Sequence, residues 1–214
     1  STLDRSSAAS DVYKRQRIYF IILFVISMTE SHIFNFMTLN LFLAYVPFEL
    51  CLLLKLFKPV KAFEWPLFIV FGLIFLLLVP NTFYMITDLI HLNQFQFNFL
   101  AGLNITEWIY FTYLILGVLL AIYLTILIFL EIAHFTSYVW LNRLLIVILM
   151  FLNGLGIYIG RFLRLHTVYL LNAPLKIVKE VFLIIDVKAL LFVVLMVLIQ
   201  ATVILFIKGV RLYQ

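Results

Sequence analysis

Charge is what this chain has least of. Only 12% of its 214 residues are Asp, Glu, Lys or Arg, about half the share found in a soluble domain. That is too few to cover a globule of this size in water. Cysteine is almost missing as well. Cys51 stands alone, which excludes an internal disulfide and any Cys-x-x-Cys zinc or redox motif, and leaves the redox compartment undefined. There is no block of basic residues, so nucleic acid is not an expected partner. The sequence has no Gly-x-Ser-x-Gly, no His-Glu-x-x-His and no ATP-binding loop. Intramembrane-protease signatures are therefore absent, and any transport would be passive, ion-coupled or driven by a partner. No ten-residue stretches of alternating hydrophobicity recur, which excludes a β-barrel, and no internal repeat is visible.

What is abundant is apolar surface. The chain is 66% hydrophobic, with 23 Phe and 11 Tyr, and its mean hydropathy is +1.19. Lipid has to be the solvent for most of these side chains. The expected fold is all-α, a polytopic bundle of about six transmembrane helices. A spanning helix needs roughly 20 apolar residues. Runs of this kind lie at Thr38–Phe57, Trp65–Met85, Trp108–Leu130, Val139–Gly160 and Ala189–Ile207. A first run, Ile18–Met28, is shorter and lacks a signal-peptide cleavage site. The stretch 172–186 has Leu175, Val178, Phe182 and Ile185 at helical spacing, broken by Lys176, Lys179, Glu180 and Asp186. It reads as an amphipathic helix lying in the membrane interface.

Residues 1–16, "STLDRSSAASDVYKRQ", differ in composition from everything after them. They resemble a translated adaptor sequence and are expected to form a non-native tail. On this reading residues 17–214 make a single transmembrane domain whose first span is truncated.

Basic residues suggest an orientation. If the N-terminus is cytoplasmic, Arg17, Lys55, Lys58, Lys61, Arg143, Lys208 and Arg211 fall on that side, against Arg161, Arg164, Lys176, Lys179 and Lys188 opposite. Seven against five is a modest positive-inside bias. Both termini are therefore expected in the cytoplasm of a multi-pass protein. Trp65, Trp108 and Trp140 sit at span ends, where aromatic belts form.

Polar residues gather at two of those ends. On a helix at 100° per residue, Asn81, Tyr84, Asp88 and His91 fall within about 80° of one another. Pro80, just before them, has no N–H to donate, so the helix is expected to kink or restart there. The fifth span closes in "LNGLGIYIGRFLRLH", where Asn153, Gly156, Gly160 and Arg164 share a face and Arg161 lies beside it. Gly156 and Gly160 allow a neighbouring helix to come close. Both segments follow spans that run the same way, so Asp88 is expected to pair with Arg161 or Arg164, with His91, His166 and Asn40 nearby. This cluster fits a structural clamp, a substrate or ion site, or a metal site on Asp88, His91 and His166. The last has no dedicated ligand spacing, so no metal and no cofactor is expected. Glu49 lies near the middle of the second span, where an ionised carboxylate is costly. It is either functional or a protonated acid bonded to a neighbour such as Gln200.

Three stretches carry a resemblance. "NLFLA" at Asn40–Ala44 with Pro47, "PNTFYMITDLIH" at Pro80–His91, and the Gly-x-Gly, Arg-Phe-x-Arg pattern of Gly154–Arg164 resemble the bacterial membrane family called domain of unknown function 1361. The resemblance covers about residues 38–190. It implies a multi-pass protein of the bacterial inner membrane and carries over no reaction. Two functions stay open. One is a non-enzymatic transport or envelope-accessory component with a polar path running inward through Glu49 and Gln200. The other is an enzyme acting on a lipid-linked or envelope substrate at the outer face, with Asp88, His91 and the arginines lining a pocket. Membrane lipid is the expected partner on either reading, and no protein partner can be read.

Overall fold

The computed structural model describes residues 2–29, 35–97, 100, 102–163 and 185–211. Among the described residues there are six α-helices: α1 (Thr2–Thr29), α2 (Asn35–Leu56), α3 (Trp65–Tyr84), α4 (Ile105–Ala133), α5 (Val139–Phe162) and α6 (Val187–Arg211). A 3-10 helix, Met85–Gln94, continues α3. No strand occurs among the described residues. Among the described residues, five helical stretches have the length and apolarity to cross a membrane: Phe36–Leu56, Ala62–Gln94, Ile105–Ala133, Val139–Phe162 and Val187–Gly209. The chain is a membrane-embedded helical bundle.

α4 is the central helix. In its most apolar stretch 61% of residues are buried, against 17% for α6. Leu114, Ala121, Leu124 and Ile128 of α4 join Met37, Leu41 and Phe48 of α2 and Phe75 and Val79 of α3 in one core. α6 packs on α5 at the edge, and leaves Leu190, Leu191, Leu195, Leu198 and Leu205 facing outward. In lipid this costs nothing, since hydrocarbon surrounds them as a core would.

One expectation changes. The helix does not break at Pro80. α3 runs through it to Tyr84, and the geometry alters only at Met85. Neighbouring helices hold such a proline in place within lipid, and here α5 packs directly on it. The Thr87 hydroxyl donates to the Tyr84 carbonyl at 2.7 Å, competing for the acceptor that an α-helical bond would use. The winding tightens from Met85 onward, and the 100° spacing assumed for residues 81–91 no longer holds beyond Tyr84. α1 is continuous from Thr2 to Thr29 and includes Ile18–Met28. The expected amphipathic helix lies outside the described residues for 172–184, and Ile185 and Asp186 lead into α6. Asp186 accepts the Ala189 amide at 2.8 Å, as an N-terminal cap does.

Candidate functional site

Two small residues on α5 set up the site. Gly156 faces the Pro80 ring and Gly160 faces the Tyr84 ring. The i, i+4 pair on α5 thus receives an i, i+4 pair on α3, and the backbones come close enough for short side chains to meet. Arg161, the residue after Gly160 on α5, reaches the 3-10 helix.

Asp88 is completely buried. Its two oxygens go to different helices. Oδ1 accepts from Arg161 Nη2 at 2.6 Å, and Oδ2 accepts from Asn40 Nδ2 of α2 at 2.7 Å. A buried carboxylate is tolerated only when it is paired and hydrogen-bonded, and both conditions are met. The Asp88–Arg161 pairing expected from the sequence is present, with Asn40 as a third member.

Arg161 is the hub. Its Nε and Nη2 both donate to the Thr87 hydroxyl oxygen, at 3.1 and 2.6 Å. Nη1 approaches His91 Nε2 at 3.5 Å. The guanidinium also stacks over the Tyr84 ring, 4.4 Å from its centroid, a favourable cation–π arrangement. His91 in turn lies against the Phe36 ring at 4.2 Å and faces Gln94 across 3.4 Å. Four helical segments therefore meet at one guanidinium–carboxylate pair. A planar fork is suited to this, because it serves several acceptors in one plane.

Thr87 was not among the sequence candidates, although it stands beside Asp88 in the Pro80–His91 motif. Its role depends on the tight winding that begins at Met85, which an α-helical projection does not anticipate. Asn81, by contrast, does not join the cluster. Its side chain turns back to the Leu78 carbonyl at 3.0 Å. Arg164 and His166 lie outside the described residues. Among the described residues no group of three His, Cys, Asp or Glu could hold a metal ion.

Asn153 is placed deeper, away from this centre. Its Nδ2 donates to Gln200 Oε1 on α6 at 2.8 Å, and Gln200 Nε2 donates to the carbonyls of Met150 and Met196. Both side chains are buried. Gln200 is therefore not the partner of Glu49. Glu49 instead takes a two-pronged bond from Arg17 of α1, at 2.8 Å on each oxygen, and a further one from the Tyr45 hydroxyl. The correction has a simple cause. Glu49 lies in the second half of α2 on the face turned to α1, whose Arg17 can reach it while staying partly exposed.

A second ion pair accompanies it at the same end of the bundle. Lys55 of α2 meets Glu131 of α4 at 2.6 Å, and the Tyr13 hydroxyl donates to the same carboxylate. Glu131 was not a sequence candidate. The available signal was an acid near the end of an otherwise apolar span, the same signal that marked Glu49.

Two open apolar grooves lie elsewhere on the surface. One is a groove of about 460 Å³ between α5 and α6, lined by Phe151, Leu155, Val193 and other apolar residues. The other is a cleft of about 330 Å³ lined by Leu92, Phe97, Trp108 and Phe111. Neither includes Asp88, Arg161, Glu49 or Gln200 in its wall.

No match to the chain was found among curated proteins or among solved structures. One family does match, over residues 39–203, under the description "Protein of unknown function (DUF1361)". That range takes in most of α2, all of α3 to α5, most of α6, and Asn40, Tyr84, Thr87, Asp88, His91 and Arg161. The resemblance read from the three motifs holds across well over half of the sequence, and the chain belongs to the DUF1361 family of proteins of unknown function.

Proposed function

We propose that the chain is a non-enzymatic component of a bacterial inner membrane, of the transport or envelope-accessory kind. Its polar centre would lie at the outer face, with both termini cytoplasmic. One observation carries the reading: Asp88 is completely buried and both of its oxygens are engaged, by Arg161 and by Asn40. A general acid or base must reach a substrate proton, and this carboxylate faces only its own bundle. His91, half-buried, lies 3.5 Å from the Arg161 guanidinium on one ring nitrogen and 3.4 Å from the Gln94 amide on the other. The centre has the character of a clamp that closes one end of the bundle.

Of the two non-enzymatic forms, the accessory one has more support. The transport form expected Glu49 and Gln200 along one inward path, but they bond to different helices, Glu49 to α1 and Gln200 to α5. The membrane-enzyme alternative would need the clamp to open.

Complementation separates these readings. A strain lacking the gene would be scored for sensitivity to detergent and to large antibiotics, as a measure of envelope integrity. It would then receive the double variant Asp88→Leu with Arg161→Leu, with folding of the product checked by its melting. A folded double variant that restores resistance supports the clamp. A folded double variant that fails to restore it overturns the clamp and favours chemistry at this centre.

A further inference from the structure

We propose that the end of the bundle opposite Asp88 binds the headgroup of an anionic phospholipid, held by Lys58, Lys61 and Arg143. The reasoning starts from which charges are already committed. Glu49 and Glu131 are neutralised by Arg17 and Lys55. The Glu64 carboxylate accepts the backbone amides of Val60 and Lys61, at 2.8 and 3.1 Å, so it serves the α2–α3 loop itself. Lys58, Lys61 and Arg143 are all exposed, and among the described residues none of them is ion-paired.

These cations are also arranged. Lys58 Nζ donates to the Phe135 carbonyl at 2.9 Å and stands over the Phe135 ring. This ties the α2–α3 loop to the α4–α5 loop, and leaves two of the three ammonium donors for a ligand. Lys61 stands over the Phe63 ring at 6.0 Å. Arg143 projects from the start of α5, which follows the α4–α5 loop.

The surroundings point to a lipid as the source of the anion. Phe63 is 75% exposed and Trp140 66%. Large rings bare to water are costly, whereas at headgroup depth they rest against acyl chains while the cations meet phosphate. At the other end, the segment between Met85 and Ile105 carries Asp88 and no Lys or Arg. A dianionic phosphate alone would use the cations but not the rings. A phospholipid uses both.

The test is melting of the purified chain in a neutral detergent with added dioleoyl-phosphatidylglycerol, dioleoyl-phosphatidylcholine or glycerol-1-phosphate. The anionic lipid is expected to raise the melting temperature, and the other two are not. The effect should vanish in about 0.5 M salt, where the Debye length is only roughly 4 Å. Each cation removed should weaken the apparent affinity about fivefold. The variant Lys58→Gln, Lys61→Gln, Arg143→Gln should therefore lose the shift, while Lys188→Gln at the other end keeps it. Equal shifts from both lipids would overturn the proposal. So would a triple variant that keeps the full shift, or a shift from glycerol-1-phosphate that matches the lipid. If the triple variant does not fold, the wild-type salt series decides: a shift unchanged by salt overturns the proposal, and one abolished by salt supports it.

Discussion

Gly156 of α5 lies so close to Pro80 of α3 that a β-carbon added to it would stand 2.6 Å from both Cβ and Cγ of the proline ring. That ring cannot swing aside as a flexible side chain would. One turn on, a β-carbon at Gly160 would meet the Tyr84 ring at 3.5 Å, an ordinary contact. Two glycines four residues apart thus have different tolerances. Gly156→Ala is expected to destabilise by about 1–3 kcal/mol through overpacking. Gly160→Ala should be neutral or slightly stabilising, since alanine favours a helix by roughly 1 kcal/mol over glycine. Melting of both variants in detergent checks this. Equal losses at the two positions would mean that the proline contact is not what limits the approach.

The buried amide pair between α5 and α6 is a second case where context decides. Gln200→Leu leaves Asn153 Nδ2 and the Met150 carbonyl without their partner, at a cost of about 1–3 kcal/mol. Replacing both residues, Asn153→Leu with Gln200→Leu, removes the polar groups together and should recover much of that loss. A double variant less stable than Gln200→Leu alone would contradict this account.

Much of this architecture was legible because lipid imposes long apolar runs, and all five later spans declare themselves that way. The Pro80–His91 stretch was legible as well, since polar residues stand out against such a background. The winding at Met85 was not. Whether a carbonyl takes its bond from the third or the fourth residue onward depends on side chains such as Thr87 and on what packs alongside, and residue order alone does not reveal that. The ion pairs Arg17–Glu49 and Lys55–Glu131 were hidden for another reason. Their partners lie on different helices, and helix order does not specify which faces meet. The misassignment of Gln200 to Glu49 came from this.

Orientation can be checked with a phosphatase that is active only outside the cytoplasm. Lys58, Lys61 and Arg143 share one end, and positive charge stays inside. A fusion after Gln214 should be inactive. An insertion after Gly102, which is exposed and has open space around its Cα, should be active. The reverse pattern would turn the protein over and put the Asp88 centre on the cytoplasmic side.

The Asp88–Arg161 pair makes the strictest prediction. Asp88 is completely buried, and Arg161 is half-buried, with 19% of its side chain exposed. Removing either partner strands the other as an uncompensated charge, at about 3–5 kcal/mol. Asp88→Asn and Arg161→Gln should each lower the melting temperature markedly, and the double variant should lose less than the sum of the two. Thr87→Val separates the hydroxyl from the charge. It keeps the side-chain shape but removes the acceptor that takes two of Arg161's bonds, and is expected to cost about 1.5–3 kcal/mol. That loss should disappear in the Arg161→Gln background, because the guanidinium it serves is gone. If the Thr87 and Arg161 losses simply add, the hydroxyl acts through its bond to the Tyr84 carbonyl instead, and its role is to set the winding of the 3-10 helix. If the Asp88 and Arg161 losses add as well, the two charges do not sense one another, and the clamp would reduce to separately solvated helix ends.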